Sequence, residues 1–391
     1  MTCLTPAPIL PIIMKLKRLF SIPSFVAAFL PFAAAPLMAE LPTSPLDGEF
    51  TTSTNEFVSA QSWKLVINSG GVWNIVGDLA QVNWSFENLD DRILTGTGTI
   101  NIGSETEAGS LYITGQNPVS VENWSIYPVR FDGTVNVAKG GSFFYGGTYI
   151  NRWGPIARIG TLNVNGGVVS IVSDTDNHSY FGIKNLAVRD GGTLESALNI
   201  QTVSGGVWDL HSGGLSTAKL RVVSGSMTLN LHAEDVLANV PVVSFDENTG
   251  TNFRINVSAD NSIRTFELNG NAVLELAIED GVSLTVGNLI TKNGSKGVAG
   301  AKIVFYDYRA DAFLLENSDL SVEDNRLYIP SVDTFVDLEA YDGDGNLMEG
   351  EWSYEWNGTT GMLVLTVPEP AAAAAALGAL ALAFAAWRKR K

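Results

Sequence analysis

An all-β body is predicted by three features of the sequence. Between Phe50 and Val367, short alternating runs of Val, Ile, Leu and Thr are cut every 8 to 12 residues by Gly-Gly, Asp-Gly, Asn-Gly or Ser-Gly, which are strand and turn signals. Amphipathic helical periodicity is missing beyond two turns; its best candidate, residues 231–238, fits a loop as well. Beneath the strands lies a repeat. Residues 162–171, built around Gly166-Gly167, are echoed 24 residues on by 186–194 around Gly191-Gly192, then by 200–210 around Gly205-Gly206, with further echoes at 69–75, 220–229 and 266–276.

Spacings of 26, 25, 14 and 20 residues separate the glycine turns from Gly140 to Gly225. Such periods belong to stacked coils, where a repeat buries its inner face only by lying on its neighbour. The prediction for residues 50–300 is therefore a β-solenoid with room for about ten coils of ~25 residues. Gly167, Gly192 and Gly206 are expected at equivalent corners with positive φ, a conformation glycine adopts without a Cβ penalty. A β-sandwich of hairpins is the structural alternative, because Gly-Gly between alternating runs also occurs there and the spacing of 14 is uneven.

After Gly300 the paired glycines vanish while aromatic and acidic residues rise. Residues 302–308, 326–329 and 334–341 read as strands, and 352–356 with 362–367 as a hairpin across Asn357-Gly358. Segment 301–366 is expected to be a strand-rich cap over the last coil, whose open edge would otherwise pair with other chains.

The N-terminus reads as an export signal. Met14 opens Lys15-Leu16-Lys17-Arg18, an apolar stretch follows, and small Ala39 precedes Glu40, giving a signal peptide over 14–39 cleaved between Ala39 and Glu40. Residues 1–13 carry no basic residue and do not belong to such a signal, so the true start is expected at Met14. Residues 40–49 read as a linker.

The C-terminus, 367–391, has a fixed order: Pro368-Glu369-Pro370, an uncharged apolar run over 371–387, then Arg388-Lys389-Arg390-Lys391. The run has 17 residues. As a helix it is ~26 Å long, at the short end of what crosses a bilayer core. The basic cluster acts as a stop-transfer signal and places everything before it across the membrane. The two prolines keep the motif out of the helix, as an accessible extended stretch.

This arrangement resembles the PEP-CTERM sorting signal of exported Gram-negative bacterial proteins. The resemblance implies that Pro368, Glu369 and Pro370 are recognised by an exosortase-type processing enzyme and that the tail is removed. It also implies an inner-membrane-anchored precursor delivered to the cell envelope, the outer surface or the medium. A plain C-terminal anchor is the alternative. The repeat region resembles the right-handed parallel β-helix of autotransporter passengers and other bacterial surface proteins.

Of the 24 basic residues 7 lie in the segments expected to be removed, which leaves 17 against 41 acidic ones, a formal net charge of −24 for the mature body ending near Pro370. Nucleic acid is excluded as a partner on that charge. The one cysteine, Cys3, lies ahead of the expected start, so the body must be held by its own core rather than by disulfides.

No catalytic constellation stands out. His178, His211 and His232 have no partner at metal-ligand spacing in the sequence, and there is no Gly-x-Ser-x-Gly elbow or phosphate loop. Asp342, Asp344 and Asn346 carry oxygens at alternate positions and form a weak calcium candidate; Leu347 and Ser353 stand where a calcium loop needs glycine and glutamate. Residues 174–177 are a shorter acidic turn. No other cofactor is expected. Trp73 and Trp208, both in Gly-Gly-Val-Trp runs, are expected to point inward, against the alternative that exposed tryptophans stack on sugars. The leading expectation is a non-enzymatic envelope or surface protein of structural or adhesive type. The alternatives are a β-helix lyase or hydrolase acting on polysaccharide, and a glycan-binding module.

Overall fold

The computed structural model describes residues 41–52, 57–61, 63–77, 81–86, 93–117, 129–149, 154–173, 179–212, 214–222, 225–245, 251–291, 300–367 and 388. Outside them lie the expected signal peptide with Ala39 and Glu40, the motif Pro368-Glu369-Pro370, the apolar run 371–387 and Lys389 to Lys391. Arg388 is exposed. Among the described residues no helix is long and apolar enough to cross a membrane. The body is all-β, as its alternating runs predict.

Strands pair in parallel with the strand one repeat further along the chain. One sheet consists of Phe57–Gln61, Gln81–Phe86, Gly109–Asn117, Gly141–Tyr149, Val168–Ser173, Thr193–Ser196 and Gly214–Thr217, every neighbouring pair parallel. The larger sheet has two columns. One runs from Glu49–Thr52 through Val72–Ile75 and Thr99–Ile102 to Gly206–Leu210, Gly225–Leu231, Thr251–Val257 and Val273–Ile278. The other includes Leu65–Ile67, Leu94–Gly96, Asn199–Thr202, Leu220–Val222, Asn261–Glu267 and Leu284–Ile290. Long strands such as Val129–Val137 serve both columns, one with each half.

The two-residue period of a strand decides what lies inside. Because register is kept from repeat to repeat, Ile75, Ile102, Val137, Val164, Val188, Leu210, Leu231 and Val257 form one inward row, all buried. A parallel row carries Trp73, Ile100, Val135, Leu162, Leu186, Trp208, Leu229 and Ile255, also buried. Each such side chain contributes about 1.5–3 kcal/mol by leaving water. Trp73 and Trp208 thus point inward; their indole N–H groups donate to Thr52 Oγ1 (3.0 Å) and the Lys184 carbonyl (3.2 Å), so no buried donor is orphaned. Leu46, in the segment read as a linker, is buried and bridges to Ile67.

The glycine expectation needs correction. Positive φ falls on the first glycine of each pair, at +72° for Gly166, +76° for Gly191 and +73° for Gly205, and not on Gly167, Gly192 or Gly206. Asp190 (φ +55°) and Gly191 are the central residues of a tight turn closed by the Gly192 amide on the Arg189 carbonyl at 2.8 Å. The second glycine is needed for space: a Cβ on Gly192 would lie 2.5 Å from the Val164 carbonyl oxygen, and one on Gly167 would meet that of Ala138. Nor are all three positions equivalent. Gly167 and Gly192 precede strands of the smaller sheet, whereas Gly206 opens a strand of the larger one. That change of corner accounts for the spacing of 14, and the pairing around all three is parallel, not the antiparallel hairpins of a sandwich.

Beyond Gly214–Thr217 no described strand joins the smaller sheet. In the next connection, 232–242, turns span 234–239, and Val236, Leu237 and Val240 of that segment are buried. Asn261, 3% exposed, fixes it by accepting from the Val236 amide and donating to the Ala233 and Ala259 carbonyls. Parallel stacking crosses residue 300: Lys302–Tyr306 pairs with Val273–Ile278, and Thr334–Ala340 with Lys302–Tyr306. Antiparallel pairing then takes over in Ser321–Glu323, Arg326–Ile329 and Thr334–Ala340, and in the hairpin Glu351–Trp356/Gly361–Thr366, which joins Phe313–Leu315.

Candidate functional site

On the outer face of the first column, polar side chains line up as regularly as the apolar ones do inside. Asn74, Asn101, Asn136 and Asn163 occupy one register row, and the amides of the last three each donate to the carbonyl oxygen of the asparagine before, at 2.7, 2.8 and 2.8 Å. Ala187 interrupts the row. It resumes with Asp209, Asn230 and Asn256: Asn256 donates to Asn230 at 2.6 Å, and Asn230 to Asp209 Oδ1 at 2.7 Å. The ladder therefore ends on a carboxylate, which only accepts and can close a run of donors.

The strand that carries Asp209 ends at Leu210, and His211 follows. In the next repeat Leu231 pairs with Leu210, so His232 falls beside His211. Backbone bonds hold both positions, from the His211 amide to the Val188 carbonyl (2.9 Å) and from the His232 amide to the Leu210 carbonyl (2.8 Å). The imidazoles stack with centroids 4.1 Å apart and planes 11° from parallel. His232 Nε2 lies 3.7 Å from Asp209 Oδ1. One ligand atom from each of Asp209, His211 and His232 falls within 4.8 Å of the others, the one group of three potential metal-ligating side chains among the described residues. Partial burial, then the neighbouring His232 and Arg189, lower the His211 pKa below its usual value, against the opposing pull of Asp209 and Asp190. A neutral imidazole is the form that ligates.

Within any one segment of the sequence these histidines have no partner at ligand spacing. The signal was present as a cross-repeat match: Asp209-Leu210-His211 recurs as Asn230-Leu231-His232, 21 residues on. Two imidazoles and a carboxylate form a donor set suited to borderline first-row divalent ions. His178 and residues 174–177 lie outside the described residues.

The Asp342 loop is organised differently. Asp342 Oδ1 accepts from the amides of Asp344 (3.0 Å) and Asn346 (2.8 Å), and the Asn346 side chain donates to both carboxylate oxygens. The bond from the Asn346 amide is the chief reason the Asp342 pKa sits below its ordinary value. Its oxygens are engaged by the turn's own N–H groups, and Asp344 and Asn346 are exposed. Of the tryptophans, Trp73, Trp84 and Trp208 are fully buried, Trp63 and Trp352 pack against the core, and Trp356 is exposed at the hairpin. The chain matches no family model, no curated protein and no solved structure.

Proposed function

We propose that this chain is an exported bacterial envelope or surface protein of structural or adhesive type, whose body is a right-handed parallel β-helix. Sorting runs through Pro368-Glu369-Pro370, read by an exosortase-type enzyme of the inner membrane. The observation that carries the reading is the order of the last 25 residues: proline-flanked motif, uncharged run and basic stop. The signal-like segment 14–39 supports export. Parallel pairing from repeat to repeat supports the helix, and right-handedness follows from the strong preference of parallel crossover connections. Buried inward rows and an outer asparagine ladder support a scaffold that reaches stability by stacking, without disulfides. Extracellular polysaccharide is the class of partner in keeping with an envelope location.

The test is the intact mass of the mature protein, which reports both ends at once. A chain beginning near Glu40 and ending near Pro370 is expected. Replacing Pro368 and Pro370 by Ala lets helix extend through the motif, so uncut precursor should accumulate in the inner membrane. A stable mature product that keeps Arg388 to Lys391, or unchanged processing in the double variant, would leave a simple anchor in place of a sorting signal.

A further inference from the structure

We propose that Asp209, His211 and His232 form a binding site for a first-row divalent transition ion of the zinc or nickel class, which clips two adjacent repeats together. The donors come from two strands, Gly206–Leu210 and Gly225–Leu231, and the residues that directly follow them; the strands are paired in parallel and in register. Their ligand atoms lie within 4.8 Å of one another, whereas a tetrahedral ion with bonds of 2.0–2.1 Å needs its ligands about 3.3 Å apart. Closing that difference takes side-chain rotation: the stacked rings tilt until one nitrogen of each faces the ion. Both backbones are already fixed by their bonds to the Val188 and Leu210 carbonyls.

A second observation points the same way. Ligating carboxylates are ordinarily oriented by hydrogen bonds from an outer shell. Asp209 has such a shell, because Asn230 donates to Oδ1 at 2.7 Å and is itself held by Asn256 at 2.6 Å. The carboxylate is therefore aimed, and a lone pair remains on each oxygen for a cation. With three protein ligands, partly exposed Asp209 and His211 and exposed His232, the fourth position is open to water. Nitrogen donors distinguish the site from an oxygen-only calcium loop.

The experiment titrates Zn2+ into the purified, metal-stripped chain and follows binding calorimetrically, with imidazole resonances read by NMR on histidine-labelled protein. Expected are one Zn2+ per chain, competition by Ni2+ but not by Ca2+, and movement of the ring signals of two of the three histidines. His211→Gln or His232→Gln should weaken binding at least tenfold; Asn230→Ala, which frees the carboxylate, should weaken it about tenfold. Asp342→Asn should change nothing. Zn2+ should raise the thermal midpoint of the wild type and not that of the His211→Gln/His232→Gln double variant. Absence of saturable binding by the wild type, unmoved imidazole signals, or unchanged affinity in the double variant would overturn the site. The wild-type NMR reading decides the question even where a variant folds poorly.

Discussion

Within each glycine pair the structure assigns different duties to the two residues, and Gly191 and Gly192 separate them cleanly. Gly191 has φ +76° and nothing within 4 Å of a Cβ, so Gly191→Ala carries only the left-handed backbone penalty, about 1 kcal/mol. Gly191→Asn should be close to neutral, since asparagine tolerates that conformation. Gly192 has an ordinary φ, but its Cβ would lie 2.5 Å from the Val164 carbonyl oxygen and 3.0 Å from that of Arg189. Both obstacles are backbone. Relief requires the neighbouring repeat to move, at the cost typical of overpacking, about 2–3 kcal/mol. Denaturant midpoints should therefore be highest for Gly191→Asn, lower for Gly191→Ala and lowest for Gly192→Ala. Because repeat arrays can unfold in parts, hydrogen exchange is the companion assay: Gly192→Ala should loosen amides around Val164 and Arg189, and Gly191→Ala should not. A Gly191→Ala variant as destabilised as Gly192→Ala would refute the division between conformation and space.

Two further outcomes follow from the outer ladder and the aromatic end of the chain. Asn136→Ala removes the acceptor of the Asn163 amide and the donor to Asn101, both part-buried, and should lower stability by about 1–2 kcal/mol in urea unfolding; no loss would show the ladder to be solvent-compensated. Burial raises the Tyr308 and Tyr354 phenols from 10.0 to about 12. Their neutral form is thus favoured in the folded state: the contribution is intact below pH 10 and is lost as pH rises from 10 toward 12, where the unfolded chain ionises first. Phenolate absorbance should show tyrosines titrating late, with the unfolding midpoint falling over the same window; Tyr308→Phe should weaken that fall, while losing the bonds to the Leu363 carbonyl and from the Leu365 amide.

By itself the sequence determined what is local. Two-residue alternation is a property of any strand, so the inward rows, the burial of Trp73 and Trp208, the strand Arg326–Ile329 and the hairpin across Asn357-Gly358 were all legible without knowing what each strand would touch. Only the tertiary structure decided the contacts between repeats. Ladder partners stand 21 to 35 residues apart, so no single period predicts them. Whether His211 meets His232 depends on how much chain the intervening turns consume, and whether a glycine is needed for φ or for space depends on which carbonyl the next repeat brings against it. Those quantities follow from the path of the chain rather than from its local pattern, because parallel pairing joins residues whose separation is set by every corner between them.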